Sequence, residues 1–135
     1  MKNRKPILIV EDDEIEAEII ARCFVENNVV NPLKVVGDGE EALVYLREGG
    51  KPCLITLDLN MPRMNGFEFL KAARAENLLA LIPVMILTTS TNKKDIADGF
   101  SLGASGYFVK PANLTQFVEL IRTFDRYWSA SQLPE

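Results

Sequence analysis

Runs of consecutive apolar residues alternate along the chain with stretches in which apolar residues recur every three or four positions. Pro6 to Val10, Leu33 to Val36, Leu54 to Leu57, Val84 to Leu87 and Tyr107 to Val109 are too short for typical helices. Gly, Pro or polar residues bound each of them, so they read as buried strands. The unbroken run Val84-Met85-Ile86-Leu87 is what a central parallel strand covered on both faces requires.

The intervening stretches read as helices. Asp13 is placed to cap the first, with Glu16 in its first turn, Ile15, Ile19, Cys23 and Phe24 as its apolar face, and Asn27 and Asn28 at its end. Gly37-Asp38-Gly39 turns into a second helix carrying Ala42, Leu43 and Leu46. The third runs from Phe67 to about Ala75 and presents Phe67, Leu70 and Ala73 or Arg74. The fourth spans Asn92 to Leu102, with Ile96 and Phe100 on one side, and is weakened by Gly99. Asn113 caps the last, whose stripe of Phe117, Leu120, Ile121, Phe124 and Trp128 is explained by packing on a sheet rather than by a cofactor. The tail from Ser129 to Glu135 is polar and is expected to fray unless a partner holds it. Strand and helix alternate five times, so parallel β-α units with right-handed crossovers give a three-layer α/β/α sandwich, with the doubly wound strand order 2-1-3-4-5 expected. The 135 residues are expected to form a single domain over 1–135 with its core at about 6–127 and no output domain.

Composition narrows the function. The net charge is −4, and Lys and Arg are scattered apart from Lys2, Arg4 and Lys5, so no direct nucleic-acid partner is expected. No apolar run approaches the roughly 20 residues that span a bilayer, which points away from the membrane and to the cytoplasm. Cys23 and Cys53 sit in apolar segments without metal-ligand spacing and fit buried reduced thiols. The chain contains no histidine, which removes Ser-His-Asp and Cys-His catalysis, the usual zinc sites and a histidine phosphocarrier.

Acids stand where strands end. Glu11-Asp12-Asp13 interrupts the first run, and Asp58 closes the third before the turn-forming Asn60-Met61-Pro62 and Asn65-Gly66. In the order 2-1-3-4-5, strands one, three and four are neighbours, so Glu11, Asp12, Asp58 and Thr88 should meet at one rim, joined by Lys110 from strand five. Three carboxylates in one pocket repel, and a divalent cation is the natural compensation. Oxygen ligands without nitrogen or sulfur favour Mg2+, with Asp12 binding directly, Glu11 through water and Asn60 through its backbone carbonyl. An aspartate beside Mg2+, a lysine and a hydroxyl is arranged for phosphoryl transfer, with Asp58 as nucleophile.

The chain resembles the receiver domains of two-component response regulators, the chemotaxis receiver among them, over nearly its whole length. Val10-Glu11-Asp12-Asp13, Asp58-Leu59-Asn60-Met61-Pro62 with Asn65-Gly66, Thr88, and Gly103-Ala104-Ser105-Gly106-Tyr107 leading to Lys110-Pro111 stand in that family's order and spacing. The resemblance implies the flavodoxin-like receiver fold, Asp58 as phosphoacceptor, and Mg2+ held by Glu11, Asp12, Asp58 and the Asn60 carbonyl. It further implies Thr88 and Lys110 as phosphoryl ligands, Tyr107 as switch aromatic, and a cis Lys110-Pro111 bond. Glu11 stands where many receivers have aspartate, and Thr89 where a small residue is usual; Asn60, Thr89 and Ser90 are candidates for tuning phosphoryl lifetime. Leu87-Thr88-Thr89-Ser90, Lys110-Pro111-Ala112-Asn113-Leu114 and the Trp128 tail with Leu133-Pro134 resemble single-domain regulators associated with phytochrome-type histidine kinases.

The expected partners are a sensor histidine kinase or a histidine phosphotransfer protein, then a downstream protein or a second copy of the chain. Phosphorylation would draw Thr88 inward, turn Tyr107 into the space behind it and remodel helix four, strand five and helix five, with Phe100, Tyr107, Phe108, Tyr127 and Trp128 as contact candidates. Such a protein catalyses only its own phosphorylation and dephosphorylation and turns over no metabolite. The alternatives are a receiver-like adaptor that is never phosphorylated, and a small phosphohydrolase. The latter, flavodoxin-like or otherwise, needs a cofactor loop or a second aspartate two residues after the nucleophile, the position that Asn60 occupies.

Overall fold

Local sequence fixes where each helix starts. Asp13 accepts from the amides of Ile15 and Glu16 and caps α1 (Glu14–Glu26). Asp38 caps α2 (Gly39–Arg47), Asn65 and Glu68 close a reciprocal capping box on α3 (Gly66–Ala75), and Asn92 caps α4 (Lys93–Ser101). A fifth helix, α5 (Leu114–Ala130), closes the chain. The computed structural model describes the backbone of residues 4–130 and the side chains of 4–127. The Trp128 side chain, Leu133 and Pro134 lie outside the described positions.

Between the helices run β1 (Ile7–Val10), β2 (Leu33–Val36), β3 (Leu54–Leu57), β4 (Val84–Thr88) and β5 (Gly106–Val109). They form one parallel sheet in the expected order β2-β1-β3-β4-β5. Alternate residues of each strand leave opposite faces of the sheet. Leu8, Val10, Ile55, Leu57 and Ile86 meet Ala42, Leu43, Leu46, Phe69, Leu70 and Ala73 of α2 and α3 on one face. Ile7, Ile9, Leu54, Met85 and Leu87 meet Ile20, Cys23, Phe24, Phe117, Ile121 and Phe124 of α1 and α5 on the other. Both cysteines are buried and unpaired by any disulfide.

Several inward faces differ from those expected. Ala17, Ile20, Cys23 and Phe24 bury α1, whereas Ile15 is 71% exposed. Two residues before Ala17, Ile15 lies about 200° around the helix from it, on the far side. In α3, Phe69 takes the inward position beside Leu70 and Ala73, leaving Phe67 half-buried and Arg74 exposed. In α4, Gly99 faces the sheet, where a Cβ would stand 2.7 Å from Ile86 Cδ1; Phe100 is thereby turned outward and is 50% exposed. None of the described peptide bonds is cis, so Lys110-Pro111 is trans, the isomer favoured by roughly 0.5–1 kcal/mol at such bonds.

The loop from β3 to α3 is pinned at both flanks. Leu59 and Met61 are buried while Asn60 between them is exposed, and Gly66 N donates to Leu59 O at 3.0 Å. Arg63 Nε donates to the fully buried Asp38 carboxylate at 2.7 Å, and Gly39 N donates to Met64 O at 3.0 Å. Burial opposes the Asp38 charge, yet the Glu41 amide and the Arg63 guanidinium outweigh it and hold this carboxyl below its usual range. Gly66 is needed because a Cβ there would stand 2.5 Å from the Asp58 carbonyl oxygen and 2.9 Å from Leu59 Cα, both backbone atoms. Gly66→Ala is therefore expected to destabilise the chain by about 1–3 kcal/mol in urea unfolding; an unchanged midpoint would contradict this packing.

Candidate functional site

The register of the sheet brings distant residues to one rim. Val10 pairs with Leu57 and Leu57 with Ile86, so Glu11 and Asp58, each one residue past its strand, and Thr88, the last residue of β4, stand at the carboxyl ends of neighbouring strands. Asp58 N donates to Val10 O at 3.1 Å, Glu11 N donates to Val36 O at 3.0 Å, and Lys110 N donates to Thr88 O at 2.7 Å. Ladder bonds thus continue past the strands and fix the functional backbone.

One carboxylate oxygen from each of Glu11, Asp12 and Asp58 lies within 4.8 Å of the others. Asp12 is exposed, whereas Glu11 and Asp58 are buried. This all-oxygen set could hold a hard divalent cation, which requires carboxylates and carbonyls rather than nitrogen or sulfur. Asn60 is exposed next to the pocket, where its backbone carbonyl could add a ligand.

Lys110 enters from the end of β5 with its side chain 4% exposed. Its Nζ lies 2.6 Å from Glu11 Oε1, 2.5 Å from Glu16 Oε2 and 3.5 Å from Asp58 Oδ2. Burial works against this ammonium, but the hydrogen bonds to Glu11 and Glu16 and the Asp58 charge prevail and drive its pKa upward, keeping it protonated. Glu11 is driven the other way. Burial pushes its carboxyl from 4.5 up to about 7 despite the hydrogen bond from Lys110, and the Asp58 charge adds to the rise. Three carboxyl groups, those of Glu11, Glu16 and Asp58, thus face one ammonium.

The hydroxyl side of the rim is built by β4. Thr88 is fully buried, and its Oγ1 faces Ser90 N at 3.4 Å. Thr89 is exposed. Ser90 Oγ donates to Asp95 Oδ2 at 2.6 Å, and the Tyr107 hydroxyl donates to Ser90 O at 2.9 Å. Tyr107 thus ties β5 to the loop leading into α4. Phe100 and Tyr127 are exposed, while Phe108 packs on Phe124 with ring centroids 4.7 Å apart.

Glu16 belongs to the first turn of α1 and, unlike the other pocket residues, does not stand at a strand end. An acid there already has a sufficient local explanation in the helix dipole, so only the tertiary arrangement reveals its second role. Asp95 was hidden in the same way, in the first turn of α4.

The receiver domain model of response regulators matches residues 7–122. The chain belongs to this family. As a receiver it is similar to the response regulator Rcp1 of a Synechocystis species, with 30% identity over 130 residues that cover 92% of this chain and 88% of that protein. Among solved structures, the phosphorylated cyanobacterial phytochrome response regulator RcpA shares 33% identity at a TM-score of 0.90, covering 98% of this receiver and 100% of that chain. The Mn2+-bound form of Rcp1 shares 30% identity at a TM-score of 0.86, covering 97% and 99% respectively. No helix among the described residues of this receiver is long and apolar enough to cross a membrane.

The raised pKa of Glu11 makes stability depend on pH. Its folded state binds the proton more tightly than the unfolded chain, so its contribution is fully present below pH 4.5 and is lost as pH rises through about 7. In metal-free buffer the wild type should lose at most about 3 kcal/mol from this group across that interval, and Glu11→Gln should flatten the difference. Urea unfolding at several pH values checks this; identical slopes for the two proteins would contradict it.

Proposed function

We propose that this receiver accepts a phosphoryl group on Asp58 from the phosphohistidine of a sensor histidine kinase or a histidine phosphotransfer protein. The observation that carries the reading is the buried Lys110 ammonium set among Glu11, Glu16 and Asp58 beside a cluster of three carboxylates at the strand ends. Asp58 Oδ attacks phosphorus, the phosphorus–nitrogen bond of the donor histidine breaks, and the bonding pair leaves with the imidazole. A divalent cation, Mg2+ in this reading, supplies charge neutralisation for the transferred oxygens. Glu11, Asp12, Asp58 and the Asn60 carbonyl are the residues that would hold it.

Within this reading each remaining residue has a task. Lys110 pairs with a phosphoryl oxygen, and Thr88 donates its hydroxyl to another. Leu59 N, which donates to Asp58 Oδ1 at 2.8 Å, orients the carboxylate and leaves Oδ2 on the side of Lys110. Asn60, Thr89 and Ser90 follow the strand ends that carry Asp58 and Thr88, and in this reading they tune how readily water reaches the acyl phosphate. The protein turns over no metabolite and catalyses only its own phosphorylation and dephosphorylation.

The added charge, close to two units, biases a switch made of Thr88 and Tyr107 and alters the surface of α4, β5 and α5 for a downstream protein or a second copy of the chain. Similarity to a phytochrome response regulator supports a kinase of the phytochrome type as the donor. Incubation with acetyl phosphate and Mg2+, followed by intact-mass measurement, tests the central step. A gain of one phosphoryl group that is absent in Asp58→Asn and in chelator is expected; no gain in the wild type would favour an adaptor that is never phosphorylated.

A further inference from the structure

Lys110 sits nearer to two other carboxylates than to the residue it is meant to serve. Its Nζ is 2.6 Å from Glu11 and 2.5 Å from Glu16, against 3.5 Å from Asp58. Glu11 has a second destination, because it is one of the three carboxylates placed to surround a cation. Glu16 does not belong to that cluster. Its backbone is held in the first turn of α1, where Glu16 N donates to Asp13 Oδ1 at 3.1 Å, and its side chain is 36% exposed, so solvent stabilises its charge without the lysine.

Resting on the phosphoacceptor reading, we propose that Glu16 is a positioning residue that competes with the incoming phosphoryl group for Lys110 and thereby restrains phosphorylation of Asp58. An ammonium has three N–H donors, and here the two short contacts go to Glu11 and Glu16. When a cation draws Glu11 away, Glu16 remains as the anion holding Lys110 on the α1 side of the pocket. A phosphoryl oxygen must then take over this ammonium from a carboxylate already in contact with it. Removing the carboxylate charge releases Lys110 to Asp58 and also lowers the negative potential that a dianionic group meets.

The test compares the full chain with Glu16→Gln and Glu16→Asp. Two readouts are the rate of phosphorylation by acetyl phosphate at saturating Mg2+ and the dissociation constant of beryllium trifluoride, a non-covalent phosphoryl mimic, by calorimetry. Because the competing pair is partly exposed, Glu16→Gln is expected to raise the rate and tighten beryllium trifluoride by roughly threefold, with Tm little changed. Glu16→Asp, keeping the charge one methylene further back, should fall between the two. A residue that merely supported the fold would, on substitution, weaken anion binding and lower Tm. Equal or slower phosphorylation with equal or weaker beryllium trifluoride binding in Glu16→Gln would overturn the inference while leaving Asp58 phosphorylation intact. A wild type that takes up neither phosphoryl group nor mimic would overturn both.

Discussion

Lys110 carries its charge to a position where its side chain is 4% exposed, and an ammonium is tolerated there because Glu11, Glu16 and Asp58 surround it. The dependence is mutual. Removing a fully buried partner such as Glu11 from a pair of this kind generally costs about 3–5 kcal/mol, since the charge left behind is neither solvated nor matched, whereas the partly exposed Glu16 adds little to that balance. The rim balances only in part, because three carboxyl groups face the one ammonium, and burial together with the Asp58 charge pushes Glu11 up to about 7. A pocket in that condition gains from any additional positive charge, and this links its electrostatics to cation binding and to the chemistry proposed for Asp58.

The rest of the fold serves to hold that arrangement. Parallel register sets Glu11, Asp58 and Thr88 on adjacent strand ends, and two apolar layers clamp the sheet so that the rim has little freedom to spread. Beyond β3, buried Leu59 and Met61 anchor a loop and leave Asn60 between them exposed, and the Asp38–Arg63 pair secures that loop to the start of α2. On the other side, Tyr107 and Asp95 both bind Ser90, so the β4–α4 segment is tied to β5 and to α4 at the same residue. These contacts are the route by which the proposed switch at Thr88 would reach the surface that includes α4 and β5.

Much of this was legible in the sequence because the signals were local or periodic. Apolar runs of three to five residues gave the strands, Asp13, Asp38 and Asn92 marked helix starts, and acids immediately after strands gave Glu11, Asp12 and Asp58. Helix faces were less legible where one residue decides the rotation, as Gly99 does by admitting α4 against Ile86 and turning Phe100 outward. Glu16 and Arg63 were invisible for a different reason. Each makes its decisive contact with a residue far along the chain, Lys110 and Asp38, and each sits where an ordinary helix turn or loop already accounts for a charged side chain.

The proposed chemistry requires Glu11, Asp12 and Asp58 to act together as one cation pocket. Calorimetric titration of the full chain with Mg2+, repeated for Asp12→Asn, tests it most directly. Saturable binding at one site in the wild type, lost or strongly weakened in the variant, is the predicted result. No saturable binding in the wild type, or equal affinity in the two proteins, would contradict it.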